Sequence, residues 1–227
     1  SKAYLQAIAI AKKMPSASDS PHFTVNLQLH KGLGECYLRH KDFSLAVKTF
    51  ELALLLDPSD PLSVSSELAI CYLESDRLDD AQILSEGEPY HSTLSAKVTQ
   101  VYLLFRQALP EWSADQMKEL DYALLTGQTT WQWMHGRCES LKRHYRSLNH
   151  SNPFLTFFLL NPSCGTIPLP EKVTVGRASE ALAVAQAHHH LWRKEELPLR
   201  LLEEFPWTNP IKREILEEDK PLLKATI

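Results

Sequence analysis

The residues of this chain that could support a reaction or bind a metal are chiefly its ten histidines and four cysteines. Three histidines are consecutive, His188, His189 and His190, and imidazole is a common zinc ligand. Consecutive residues of a helix point about 100° apart, so these three cannot reach one ion unless the helix unwinds. No cysteine or acidic residue stands beside the run at the spacing that zinc sites use. We therefore predict no metal site and interpret the run as a partly exposed helix face.

The cysteines give only weak support for a nucleophile or a disulfide. Cys138 lies one helical turn after His135, and Cys164 could pair with a distant histidine, but proximity in sequence does not make a catalytic pair. Cys36 and Cys71 are 35 residues apart, which suits packing within two similar helices. The chain has no C-x-x-C motif, and we expect no disulfide framework.

The short motifs that mark common enzyme classes are missing from the sequence. It contains no G-x-S-x-G, Walker loop, G-x-G-x-x-G, H-E-x-x-H or set of kinase motifs. We predict that this chain is not an enzyme and binds no cofactor. A catalytic domain in a longer parent protein remains open.

The composition is typical of a helical protein of ordinary charge. The 227 residues are 44% hydrophobic, 23% charged and carry a formal charge of −4, so no nucleic-acid partner is expected. Only 7 residues are glycine, which favours helices over strands and tight hairpins. The longest apolar run, Pro153 to Pro162, is far below the about 20 residues that cross a bilayer. We expect a soluble intracellular protein, cytoplasmic or nuclear, without a membrane partner.

Residues 27–60 carry small, apolar and helix-ending residues at the offsets of a helix–turn–helix repeat of about 34 residues. Gly34 and Ala46 are small, which would let two antiparallel helices approach closely. Pro58 would end the second helix, because proline has no backbone N–H and clashes with the preceding turn. The apolar positions of the pattern are Leu33, Tyr37, Phe50 and Ala53.

This pattern resembles the tetratricopeptide repeat family. A weaker copy over residues 62–95 has one residue inserted near Asp60 and a second helix that should be short. Residues 1–15 match the second helix of an earlier repeat, which suggests a fragment of a longer protein, and 16–23 are predicted to form a polar loop. The resemblance implies an all-α fold of antiparallel helix pairs stacked as a short superhelix.

A divergent helical region is predicted to follow the repeats. We assign residues 1–109 to tetratricopeptide-like repeats and 110–227 to a helical extension or cap, with a proline-rich linker or extended segment at 161–170. The helices predicted in and after the last repeat cover residues 93–109, 113–125, 129–148, 153–162 and 176–196, followed by two short helices broken at Pro206 and Pro210. The third of these has a basic face, which we interpret as solvated rather than as a phosphate or acidic-peptide site.

The resemblance implies a concave groove lined mainly by the first helix of each pair. The groove positions would be Gln28, Lys31, Glu35, Leu38 and Arg39 from the clear repeat and Ser63, Ser66, Glu67, Ile70 and Glu74 from the next. The alternative for all of them is simple solvent exposure, since repeat proteins expose many charges that contact nothing.

The chemistry of this groove departs from a familiar use of the family, the capture of an acidic chaperone tail by a lysine–asparagine clamp. Lys31 occupies a suitable place, but Glu35 stands where the asparagine is expected. Glu67 and Glu74 would repel a carboxylate. We therefore predict a mixed or basic, partly apolar protein or peptide partner.

The predicted function is a non-catalytic protein–protein interaction scaffold within a larger protein or complex. Two alternatives remain: a helical regulatory region attached to a catalytic domain elsewhere, and a structural subunit interface without a peptide groove.

Overall fold

The structure, a computed structural model, describes residues 6, 21–108, 118, 122, 125–126, 139–194, 217 and 219–224. Its regular elements in these ranges are all helical, so the fold class is all-α, as predicted. The chain divides into two compact units, unit 1 from Ser1 to Thr99 and unit 2 from Gln100 to Ile227. The predicted boundary between residues 109 and 110 lies outside the described residues.

Unit 1 is built from helices joined by short connections. They are α1 (Pro21–Arg39), α2 (Phe43–Leu56), α3 (Val64–Glu74), α4 (Leu78–Glu86), a 3₁₀ turn (Tyr90–Ser92) and α5 (Leu94–Ala108), whose last residues belong to unit 2. Each of the first three helices packs on the next, α4 contacts the 3₁₀ turn, and α1 also contacts α3. Stacking of these helices as a superhelix stays a prediction.

The helix ends of unit 1 follow from local sequence. Helix α2 is capped by Asp42, whose Oδ1 accepts the N–H of Leu45 at 3.3 Å, and it ends two residues before Pro58, as predicted. Helix α4 is short and ends before Gly87, also as predicted. The prediction of a loop over 16–23 is wrong at its end, because α1 begins at Pro21. Proline suits the first position of a helix, where the backbone N–H has no partner within the helix.

A capped turn at Asp60 precedes α3, where the sequence predicts an inserted residue. Asp60 and Ser63 both adopt left-handed backbone angles, with φ of 51° and 55°. The Asp60 carboxylate accepts the N–H of Val64 at 2.6 Å and that of Ser65 at 3.0 Å. Asp60, rather than Ser63, therefore caps the first turn of α3.

The spacing of α1 and α2 depends on Gly34. The ring of Phe50 in α2 lies against this glycine, and a Cβ added at Gly34 would stand 2.3 Å from Cε1 of that ring. Phe50, Ala46 and Ala53 are fully buried at this contact side of α2. The predicted reason for the small residue, a close approach of two helices, is confirmed for Gly34.

Unit 2 contains, in the part the structure describes, α6 (Glu139–Ser151), α7 (Leu155–Leu160), a 3₁₀ turn (Cys164–Thr166), α8 (Ala178–Arg193) and α9 (Lys220–Lys224). The short buried helix predicted within 153–162 is confirmed as α7, although it begins at Leu155. The predicted N-cap at Asn152 with Pro153 in the first turn is wrong, because Phe154 is the capping residue; Oδ1 of Asn152 instead accepts the N–H of Phe154 at 3.1 Å in the turn before α7. The amide nitrogen of Asn152 also donates to the carbonyl of Arg177 at 3.0 Å, which ties the start of α7 to the start of α8.

The segment after α7 is not a free linker. The side-chain amide of Gln186 in α8 donates to the carbonyls of Cys164 at 2.8 Å and Ile167 at 2.6 Å. Cys164 and Ile167 are buried. The prolines and turns of 161–170 thus prevent a regular helix there, while hydrogen bonds hold the chain against α8.

The beginning of α8 is also held by a residue from near the C-terminus. Asp219 is buried, accepts the N–H of Ala178 at 3.0 Å and pairs with Arg177 at 2.8 Å. A carboxylate at the first turn of a helix stabilises the unpaired N–H groups there. The predicted helices over 1–15 and 113–125, the first part of the one over 129–148 and most of those after residue 196 lie outside the described residues.

Replacing Gly34 by alanine should destabilise unit 1. Overpacking a filled core costs about 1–3 kcal/mol, and alanine gains at most about 1 kcal/mol over glycine from helix propensity. We expect a lower melting temperature by far-ultraviolet circular dichroism. Tryptophan fluorescence reports on unit 2 separately, because all five tryptophans lie within 100–227.

The matched control is Gly165→Ala, where an added Cβ meets no heavy atom within 4 Å. Its melting temperature should stay close to that of the parent chain. Equal stability of the Gly34→Ala variant and the parent chain would contradict the role given to this contact.

Candidate functional site

The predicted groove residues of unit 1 lie on α1 and α3, except for Ser63 in the turn before α3, and differ in how accessible they are. Gln28, Arg39 and Ser63 are exposed, and Lys31, Glu35, Leu38, Ser66, Glu67 and Glu74 are half-buried. Ile70 is only 2% exposed, so its side chain contributes to the core and not to an accessible surface. The hydrophobic stripe of α3 therefore includes a position that the repeat offsets assigned to the groove.

Lys31 holds α1 to the beginning of α3. Its ammonium donates to the carbonyl of Leu62 at 2.6 Å and lies 3.4 Å from Oε1 of Glu67. Both side chains are a quarter exposed, so this pair is more shielded from water than an ordinary surface pair. The Leu62 carbonyl is a partner that the sequence could not indicate, because any residue can supply a backbone acceptor.

Arg39 is likewise paired within α1. Its Nη2 lies 3.6 Å from Oε2 of Glu35, one helical turn earlier, and its Nε donates to the Glu35 carbonyl at 3.4 Å. Both cations of the predicted groove thus have acidic neighbours. An acidic ligand would have to compete with those carboxylates for them.

Glu67 is the most unusual acid of this group. Burial raises its pKa, the nearby charge of Glu35 raises it further, and Lys31 opposes both effects. Its second oxygen, Oε2, is buried and has no hydrogen-bond partner. A buried carboxylate oxygen without a donor is costly, so this position favours a cation or an N–H group from outside.

The two serines assigned to the groove have structural roles. Ser66 lies close enough to the hydroxyl of Tyr90 to lower its pKa, and this hydroxyl lies 2.9 Å from that of Ser95 and 3.3 Å from that of Thr99. Burial raises the pKa of Tyr90 to about 12, and these hydrogen bonds limit the increase. Ser63 occupies the left-handed turn before α3.

A second polar cluster, which sequence reasoning missed, joins α2 to α3 and the beginning of α4. The Tyr72 hydroxyl donates to Oε1 of Glu51 at 2.8 Å, and the guanidinium of Arg77 stacks 4.6 Å from the Tyr72 ring centre. Arg77 also pairs with Glu51 at 3.6 Å and with Asp80 at 2.6 Å. These partners are up to 26 residues apart, so only the packing of the helices brings them together.

The histidine run of α8 is partly exposed, but the prediction was wrong for its first member. His188 is fully buried, because it lies on the same face as Ala185 and Trp192. Its Nδ1 donates to the carbonyl of Val184 at 3.0 Å, and its Nε2 has no hydrogen-bond partner. His189 is half-buried with Nε2 3.1 Å from the Asn161 carbonyl, and His190 is exposed.

No group of three or more histidine, cysteine or acidic side chains is placed to hold a metal ion within the described residues. On the predicted basic face of α6, Arg143 and Arg146 are exposed. None of the helices described here is both long and apolar enough to span a bilayer.

Comparisons of the chain with models of protein families, with curated proteins and with solved structures find no match. The tetratricopeptide resemblance therefore stays a prediction from the residues that carry it.

Unit 2 should lose stability in mild acid through His188. Burial lowers the pKa of its ring from 6.5 to about 4, so the unfolded chain takes up this proton more readily than the folded one. The contribution of His188 to the stability of unit 2 is fully present above pH 6.5 and is lost as the pH falls toward 4. The free energy of unfolding should fall by about 2 kcal/mol between about pH 7 and about pH 5.

Urea unfolding followed by tryptophan fluorescence measures this loss. His188→Phe should remove most of the pH dependence, whatever its effect at neutral pH, and the exposed His150→Gln should retain it. The same acid-induced loss in the His188→Phe variant would refute this explanation.

Proposed function

We propose that this chain is a non-catalytic protein–protein interaction scaffold, and that α1 and α3 of unit 1 hold a partner segment. The buried, unpartnered Oε2 of Glu67 is the observation that carries this proposal. It supports a ligand that supplies a hydrogen-bond donor to this surface. Such a role would place the chain within a larger protein or complex, and it would need no cofactor.

The charges around Glu67 favour a mixed or basic partner with an apolar part. Lys31 and Arg39 are engaged by Glu67, Glu35 and the Leu62 carbonyl, whereas Glu74 adds a further negative charge on α3. A lysine or arginine of the partner would pair with the Glu67 carboxylate, whose side chain is a quarter exposed, after a rotation that turns Oε2 toward the surface. An acidic tail would leave that oxygen without a donor and add repulsion.

The half-buried Leu38 supplies the apolar component of this surface. A partner with a basic residue next to an apolar one could contact Glu67 or Glu74 with the first and Leu38 with the second. Charge would then steer the encounter and apolar burial would add affinity.

Selection of binding peptides from a displayed random library tests the proposal. We expect the selected sequences to be enriched in lysine or arginine next to apolar residues. The peptides should bind Glu67→Gln and Glu74→Lys variants at least about tenfold more weakly by fluorescence anisotropy, because each variant removes negative charge from the contact surface.

Asp79→Asn is the matched control, since Asp79 is an exposed acid on α4, outside α1 and α3. It should leave peptide affinity unchanged. Selection of acidic peptides, or equal binding to the parent chain and both groove variants, would contradict the proposed function.

A further inference from the structure

Helix α2 is apolar on two opposite sides, and the second side lies away from the core of unit 1. One side packs inward through Ala46, Val47, Phe50 and Ala53. The outward side carries Leu45, Leu52, Leu55 and Leu56, each at least 39% exposed and Leu55 78% exposed. Scattered exposed leucines are ordinary, but four on three turns of one helix form a continuous apolar surface. We call these four leucines, together with Lys48 and Glu51, the outer face of α2.

The outer face contains a shallow, open hollow. Lys48, Glu51, Leu52 and Leu55 line it. These residues stand at positions i, i+3, i+4 and i+7 of the helix, the four positions that form a hole in knobs-into-holes packing. A partner helix is therefore the occupant that suits this surface.

The residues along the outer face have the same spacing whether they are counted from the N-terminal or the C-terminal end of α2. Leu45, Lys48, Leu52 and Leu55 are separated by three, four and three residues. In an antiparallel pair of identical helices, Leu45 of one copy would lie opposite Leu55 of the other. Leu52 would lie opposite the aliphatic stem of Lys48. A two-fold interface needs a surface that is complementary to itself in this way.

The charges of the outer face are also self-complementary. In that arrangement the stem of Lys48 from the second copy enters the hollow and its ammonium reaches Glu51 at the edge. Tyr72 and Arg77 both contact Oε1 of Glu51, at 2.8 Å and 3.6 Å, so the second copy's ammonium would bind at Oε2. Lys48 makes no hydrogen bond or ion pair with the residues that the structure describes, so it is available for this contact.

We propose that the outer face of α2 binds a second copy of this chain through an antiparallel helix pair. The contact is independent of the partner surface on α1 and α3. A pair of single helices buries less than the about 1,600 Å² of a standard interface, so the dimer should be weak, with a Kd on the order of tens of micromolar.

Sedimentation velocity of the 227-residue chain over about a hundredfold range of concentration tests this proposal. The parent chain should shift from monomer to dimer. Leu45→Lys and Leu55→Glu should each weaken association at least about tenfold, because each places a charge opposite a leucine. Both sites are exposed, so circular dichroism should show an unchanged fold.

Mixing the two variants identifies the geometry. In an antiparallel heterodimer the new lysine at position 45 faces the new glutamate at position 55, and the mixture should recover most of the dimer. In a parallel pair these positions do not meet, and no recovery is expected. Val175→Glu is the control, since it adds the same charge at an exposed residue outside α2, in unit 2.

A parent chain that stays monomeric overturns the proposal and leaves a different protein as the occupant of the outer face. Dimerisation that neither variant weakens, or a mixture that does not recover the dimer, also overturns it. Loss of peptide binding with dimerisation intact would refute the proposed groove alone.

Discussion

The close approach of α1 and α2 at Gly34 is the contact on which the arrangement of unit 1 depends. The Phe50 ring occupies the space where any other residue would carry a Cβ, so the two helix backbones approach within reach of one aromatic ring. This distance sets where α1 stands relative to the chain that follows α2. Lys31 of α1 can then reach the Leu62 carbonyl and Glu67. The positions of these polar groups therefore depend on an apolar contact.

The polar groups of unit 1 serve two different purposes. The Asp60 cap, the Tyr90 hydroxyl cluster and the Glu51–Tyr72–Arg77 contact hold helices in place through hydrogen bonds between their own groups. Two groups differ, because Oε2 of Glu67 and Oδ1 of Asn26 are buried without a donor. Since buried polar groups are normally hydrogen-bonded, such an exception needs a reason, and an external donor supplies one.

Helix α8 organises unit 2 in a comparable way. Its alanines let neighbouring chain segments pack closely, and its first turn is held by Asn152 and by Asp219 from near the C-terminus. Gln186 fixes the irregular segment after α7, and His188 is buried on the same side as Trp192. A proline-rich stretch can thus belong to the core of a unit when side-chain donors satisfy its carbonyls.

The sequence by itself determined the helices of this protein and much of its core. The three-to-four spacing of apolar residues identified α5 and α8, Pro58 and Gly87 placed the ends of α2 and α4, and the small residue at 34 indicated a close helix contact. These features are local, because they depend on residues within a few turns of one another. Only the tertiary structure decided that Ile70 and His188 are buried, that Lys31 is bound to a backbone carbonyl and that Glu67 has an oxygen without a donor. Each of these features depends on the residues that packing brings next to the side chain. A helical pattern in the sequence predicts which face of its own helix a side chain lies on, but it does not predict which residue of another helix that face contacts.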